Sequence, residues 1–228
     1  MSGSIDETAD RRLLDATLAY VVEHADRRFD PFRDAVTHWG ERWNGVAPAH
    51  LPASDLLADA LPRAESGTAE RALMSLYVEE RASRRWEQSY TAADETVGAD
   101  MLAGYGYAEI VGKCGPFLSK RVRAGVGVFA AGVDYPAHRH QAEEIYVVLA
   151  GSGTFRLGGH PPERQTAGAV VHVAPGRVHG ITMTTEPLAV LYLWRGGDLR
   201  EKSTLEGGRE DRALSSGMNR TTERSDAG

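Results

Sequence analysis

One pattern constrains the chain more than any other. It runs Gly132, His138, His140, Glu144, Gly151, and is followed by Gly168, Pro175, Gly176 and His179. His138, His140, Glu144 and Tyr146 share parity. Side chains on a strand alternate faces, so these four point the same way on extended chain. A hairpin turn at 141–143 would keep both arms aimed inward. A second hairpin, after the turn Ala174-Pro175-Gly176, would bring His179 to the same place. Three imidazoles and one carboxylate so spaced can close around one divalent metal ion. Nitrogen and oxygen ligands of this kind suit Zn, Fe, Mn, Co or Ni and do not choose among them. Strand-borne ligands also supply the rigidity a metal site needs.

Composition bounds the rest. A chain of 228 residues makes one large domain, or one domain with an appendage. The net charge is −6, and the sequence has no basic stripe to follow a phosphate backbone, which argues against nucleic acid as a partner. Cys114 is the single cysteine, so no internal disulfide forms and a reducing compartment fits. The first residues, MSGSIDETADRR, are acidic and polar with no apolar core of a signal peptide. No apolar run is long enough for a membrane span. The expectation is a soluble, cytoplasmic protein with no membrane partner.

The chain divides by pattern into a helical region over 1–85, a β-rich region over 86–200 and a polar, flexible tail over 201–228. Ser4 and Glu7 have capping-box spacing, with Leu14, Leu18 and Val21 as the apolar stripe of the helix that follows. Asp30-Pro31 starts another helix, carrying Phe32, Val36, Trp39 and Trp43 to a stop at Asn44-Gly45. Ser54 is placed to cap a short helix over 55–61, and a longer one is expected over 68–84. His24, His38 and His50 are isolated and carry no constellation. From Trp86 the period changes to two. Strands are expected at 105–111, 122–130, 154–157, 169–173, 180–183 and 188–194, with turns at 151–153 and 158–162. The fold class is therefore mainly β, a C-terminal sandwich or small antiparallel barrel with an N-terminal α-helical region. Such a barrel can hold one ligand inside.

The residues around the histidines narrow the chemistry. Tyr146 follows Glu144 by two, so its phenol leans toward the metal. A nearby dication favours phenolate, which makes Tyr146 a ligand, a general base, or simply a tyrosine of the barrel wall. Tyr135, Tyr192 and Trp194 stand close in sequence to the ligands. Their rings either attract a cation or pack as ordinary core. Glu143 has the opposite parity to Glu144 and should face outward, so no two-carboxylate glycosidase is expected.

The two stretches resemble the paired motifs of the cupins. The first fits G-x5-H-x-H-x3-E-x6-G without a gap. The second fits G-x5-P-x-G-x2-H with Ala174 in place of the proline and Met183 where asparagine is usual. Tyr135, His138, His140, Glu144, Tyr146, His179 and Trp194 together resemble the cupin dimethylsulfoniopropionate lyases, most like the DddL type. Helices before a barrel agree with that layout. The resemblance implies a cupin barrel in which His138, His140, Glu144 and His179 bind one divalent metal ion. It implies that Tyr146 is the base, and that Tyr135, Tyr192 and Trp194 line a pocket for a small zwitterion. The implied reaction is β-elimination of dimethyl sulfide to leave acrylate, the metal binding the substrate carboxylate. By analogy with cupins that pair through barrel edges, a homodimer is expected. Another metal-dependent cupin enzyme, a dioxygenase or isomerase, and a non-enzymatic metabolite binder are the competing readings.

Overall fold

In a computed structural model the described residues are 5–36, 39, 42–94, 97–206. The helical layer comes first. Helix α1 (Glu7–Glu23) is capped by Asp6, whose Oδ1 accepts from the backbone N–H groups of Thr8 and Ala9. The cap expected at Ser4 lies outside the described residues; a carboxylate two positions later satisfies the first-turn donors. Helix α2 (Asp30–Val36) starts at the Asp-Pro signal. It is not continued to Trp43, as the tryptophan spacing suggested. Trp43 instead forms a β-bridge with Phe117 and donates from Nε1 to Asp10 at 2.9 Å. Helix α3 (Leu56–Ala60) is short and Ser54 does not cap it; Pro52 opens a 3₁₀ turn in front of it instead. Helix α4 (Ala69–Glu80) is capped by Thr68 and tightens into a 3₁₀ turn over Arg81–Ser83. A helix the sequence pattern did not announce, α5 (Ala99–Ala103), sits before the barrel.

Among the described residues from Trp86 onward there are eleven strands: β1 (Trp86–Glu87), β2 (Tyr105–Gly112), β3 (Phe117–Leu118), β4 (Val122–Phe129), β5 (Asp134–Arg139), β6 (Glu143–Leu157), β7 (Glu163–Thr166), β8 (Val170–Val173), β9 (His179–Thr182), β10 (Leu188–Arg195) and β11 (Thr204–Leu205). The hydrogen-bonded path is β1-β2-β4-β10-β6-β9-β5-β11. β6 joins the two faces of this barrel. Its first half pairs with β10 and β8, and its second half with β7 and β9. The turn expected at 151–153 is absent. Gly151 instead takes a φ of 74° and lets one 15-residue strand bend from one sheet into the other. A side chain there would place its Cβ 1.8 Å from the Pro187 carbonyl.

Both hairpins expected around the histidines are also absent as hairpins. β5 pairs with β9 and β11, not with β6, and β8 pairs with β6, not with β9. The connections carry the chain between sheets. The turn at Ala174-Pro175-Gly176 does form: Arg177 N donates to Ala174 O at 3.0 Å and Gly176 has a φ of 72°. Thr204–Leu205, inside the stretch read as tail, form β11 against His138 and Arg139.

The core has two compartments. One lies between the helices and the outer sheet face, with Leu14, Val21, Phe32, Leu73 and Met74 against Val122, Ala124, Val126, Val128, Ile145, Val147, Leu191 and Leu193. The other is the barrel interior. β4 is buried at every position because each of its faces meets one compartment.

Candidate active site

The histidines converge in the barrel interior. His138, next to last in β5, pairs in register with His179, the first residue of β9. His140 lies in the link to β6, which the Gly176 N–H grips through the His140 carbonyl at 2.8 Å. All three imidazoles are buried, and their ligand atoms lie within 4.8 Å of one another. Each Nδ1 is 2.9 Å from a backbone carbonyl: His138 from Pro136, His140 from Ala142, His179 from Arg177. Carbonyls only accept, so each Nδ1 donates to its carbonyl and each Nε2 is the atom left to face a metal ion. Glu144 Oε2 stands 2.9 Å from His140 Nε2 and 3.2 Å from His179 Nε2. The His179 nitrogen is nevertheless left without an aligned hydrogen bond. Three buried, pre-oriented Nε2 atoms beside one carboxylate fit a divalent cation. Burial, with His179 adding to it, lowers the His138 pKa well below the usual imidazole value. Burial alone would raise Glu144, but the imidazoles of His140 and His179 beside its carboxylate prevail and hold it well below the usual carboxylate range.

Tyr135 and His138 have opposite parity yet both face inward, because a register shift between them adds a residue to β5. Their rings meet edge to face at 4.8 Å. Trp194 lies over His140 at 4.0 Å, and the Arg123 guanidinium lies over Trp194 at 5.0 Å. Tyr146 sits next to the cluster, its ring 6.2 Å from that of His179. Burial first, then the Glu144 carboxylate, raises its pKa well above the usual phenol value. Glu143 faces away as expected, bonded to His172 at 2.8 Å and ion-paired with Arg195.

Glu144, Tyr146, Tyr135, Tyr192 and Trp194 line one cavity of about 50 Å³. The structure adds Tyr105, Tyr107, Phe129, Gly127 and Arg123 to its wall. Parity within β2 and β4 was the signal available for them. Burial on both faces of those strands, with glycines on one face of β4, hides which face meets the cavity.

This is a cupin barrel with a three-histidine cluster beneath an aromatic cavity. Residues 33–190 match the family model described as dimethylsulfoniopropionate lyase. The dimethylsulfoniopropionate lyase DddQ of Ruegeria pomeroyi is 34% identical over 151 residues, which cover 66% of this chain and 73% of that one. The crystal structure of DddQ from that organism superposes with a TM-score of 0.77 at 30% identity, covering 90% of this chain and 99% of that one. A chain from the crystal structures of the DMSP lyases RdDddP and RnDddQII gives 0.76 at 30% identity, over 87% and 98%. The chain belongs to the dimethylsulfoniopropionate lyase family, a family of carbon–sulfur lyases. Two of these matches are with DddQ of R. pomeroyi and none is with a DddL enzyme, so the expected DddL subtype finds no support in them. Among the described residues no helix is long and apolar enough to cross a membrane.

Proposed function

We propose that the chain cleaves dimethylsulfoniopropionate to dimethyl sulfide and acrylate by β-elimination, with Tyr146 as the general base. The observation that carries this is the phenol of Tyr146 and the carboxylate of Glu144 in the wall of one cavity, with Glu144 also beside a cluster of three imidazoles and the Tyr146 ring 6.2 Å from that of His179. A divalent cation held by His138, His140 and His179, with Glu144 as the fourth ligand, would supply positive charge for a developing enolate and for the Tyr146 phenolate. Tyr146 takes the proton alpha to the carboxylate. The electron pair of that C–H bond becomes the new double bond, and the pair of the C–S bond leaves with neutral dimethyl sulfide. The departing thioether needs no acid, which suits a cavity lined in large part by aromatic rings. The rings exclude water and present faces to the sulfonium. The single cysteine, Cys114, fits a cytoplasmic enzyme.

The test is dimethyl sulfide in the headspace above metal-loaded protein and dimethylsulfoniopropionate, without oxygen. Gas and acrylate in equal amounts are expected. No gas, or a requirement for oxygen, removes the reading.

A further inference from the structure

Two donors in the cavity wall have no work in the reaction just described. Tyr192, on β10, stands in register with Tyr146 on one side and Gly125 on the other. Its hydroxyl is buried and has no hydrogen-bond partner. Arg123, on β4, stands two pairs along, opposite Trp194. Its guanidinium is buried and anchored at two points: Nε donates to Glu109 Oε2 at 2.7 Å and Nη1 to Leu199 O at 3.3 Å. A guanidinium carries about five N–H donors, so these bonds leave some over. Glu109 is itself occupied, its Oε1 accepting from Cys114 N at 2.6 Å and Gly115 N at 3.0 Å. Both Tyr192 and Arg123 line the cavity.

We propose that Tyr192 and Arg123 form the receptor for the substrate's carboxylate, and that the sulfonium end points to the rings of Tyr105, Phe129 and Tyr135. This deepens the lyase reading and rests on it for the identity of the ligand. An unpartnered O–H beside spare N–H groups asks for an acceptor, and a sulfonium offers none. The guanidinium repels a second cation, whereas the Tyr135 ring lies 5.0 Å from Tyr105 and 5.1 Å from Phe129 with no guanidinium among them. A carboxylate has two oxygens, so one can turn to the histidines while the other accepts from Tyr192 and Arg123. The sequence-based expectation had Tyr192 at the cation end; its hydroxyl, not its ring face, is the group left without a partner.

The probes are propanoate, a carboxylate without sulfonium, and trimethylsulfonium, a sulfonium without carboxylate. Each is titrated calorimetrically into the metal-loaded full chain, so no turnover is needed. Tyr192→Phe should bind propanoate about tenfold or more weakly, as for a site built to hydrogen-bond its ligand, with trimethylsulfonium unaffected. Arg123→Lys, which keeps a cation beside Glu109, should weaken propanoate in the same direction. Equal propanoate affinity in wild type and Tyr192→Phe overturns the assignment, as does no propanoate binding to wild type or a loss confined to trimethylsulfonium. Removing an unpartnered hydroxyl should leave Tm unchanged or raised. A lowered Tm would put the hydroxyl to work in the fold and also overturn the proposal. Release of dimethyl sulfide by wild type tests the lyase reading on its own, so either idea can fail visibly without the other.

Discussion

At the scale of single residues, the meeting of the histidines with Glu144 was legible from their spacing, even though the hairpins expected to bring them together did not form. His138, His140, Glu144 and His179 meet as their spacing implied. Tyr146→Phe should keep the bound metal, since the imidazoles are untouched, and lose turnover by about 10²–10⁴, the usual worth of a positioned base. Metal content and headspace gas measure the two halves of that statement, and normal turnover would move the base elsewhere. Gly127 was not legible, because a glycine inside a strand announces nothing about what stands in front of it. A Cβ there would meet Val190 Cγ2 at 3.4 Å and Phe129 Cε2 at 3.7 Å, so a larger side chain grows into the cavity without breaking the strand. Gly127→Val should raise KM about tenfold or more while leaving Tm level or higher, because β-branched residues suit strands. A large fall in Tm with unchanged KM would show that the glycine serves the backbone instead.

Among the elements, the strand periods were visible and their partners were not. The glycine at 151 looked like a turn because turn and bulge ask for the same left-handed backbone; only the pairing of β6 with strands on both sides decides between them. Short apolar runs name a strand without saying which sheet it joins. The helical layer shows the same limit. Trp43 repeats at helical spacing, yet its indole N–H is held by Asp10 on α1. Asp10 also pairs with Arg84, and both are buried, so this one carboxylate ties α1 to the approach of β1. Asp10→Ala leaves a buried guanidinium uncompensated and should destabilise the chain by about 3–5 kcal/mol. Urea denaturation would read this, and the histidine cluster should still bind metal in the folded fraction. A cost under about 1 kcal/mol would show that water or another acceptor reaches Arg84.

Across the whole molecule, tyrosines are buried in both compartments. Burial, with Thr17 and Arg84 opposing it, raises Tyr77 to about 12, and Tyr20, Tyr90 and Tyr107 are pushed higher, each chiefly by burial. A phenol whose pKa rises on folding stays protonated in the native state while the unfolded chain ionises near pH 10. Its stabilisation is complete below pH 10 and is lost as pH climbs through the folded value. In the metal-free chain Tm should therefore be flat in alkali up to about pH 10 and fall steeply above it, with phenolate absorbance appearing only as the chain unfolds. Phenolate absorbance rising well before the loss of structure would contradict this. The sequence marked the helical region and the barrel by their periods, but a period cannot show that one covers the other. The doubly covered β4 has a practical outcome for anyone cutting the gene: a fragment begun at Trp86 would carry a naked greasy wall of valines, leucines and isoleucine, and should come out of the cell as clumps on a sizing column rather than as a working half-enzyme.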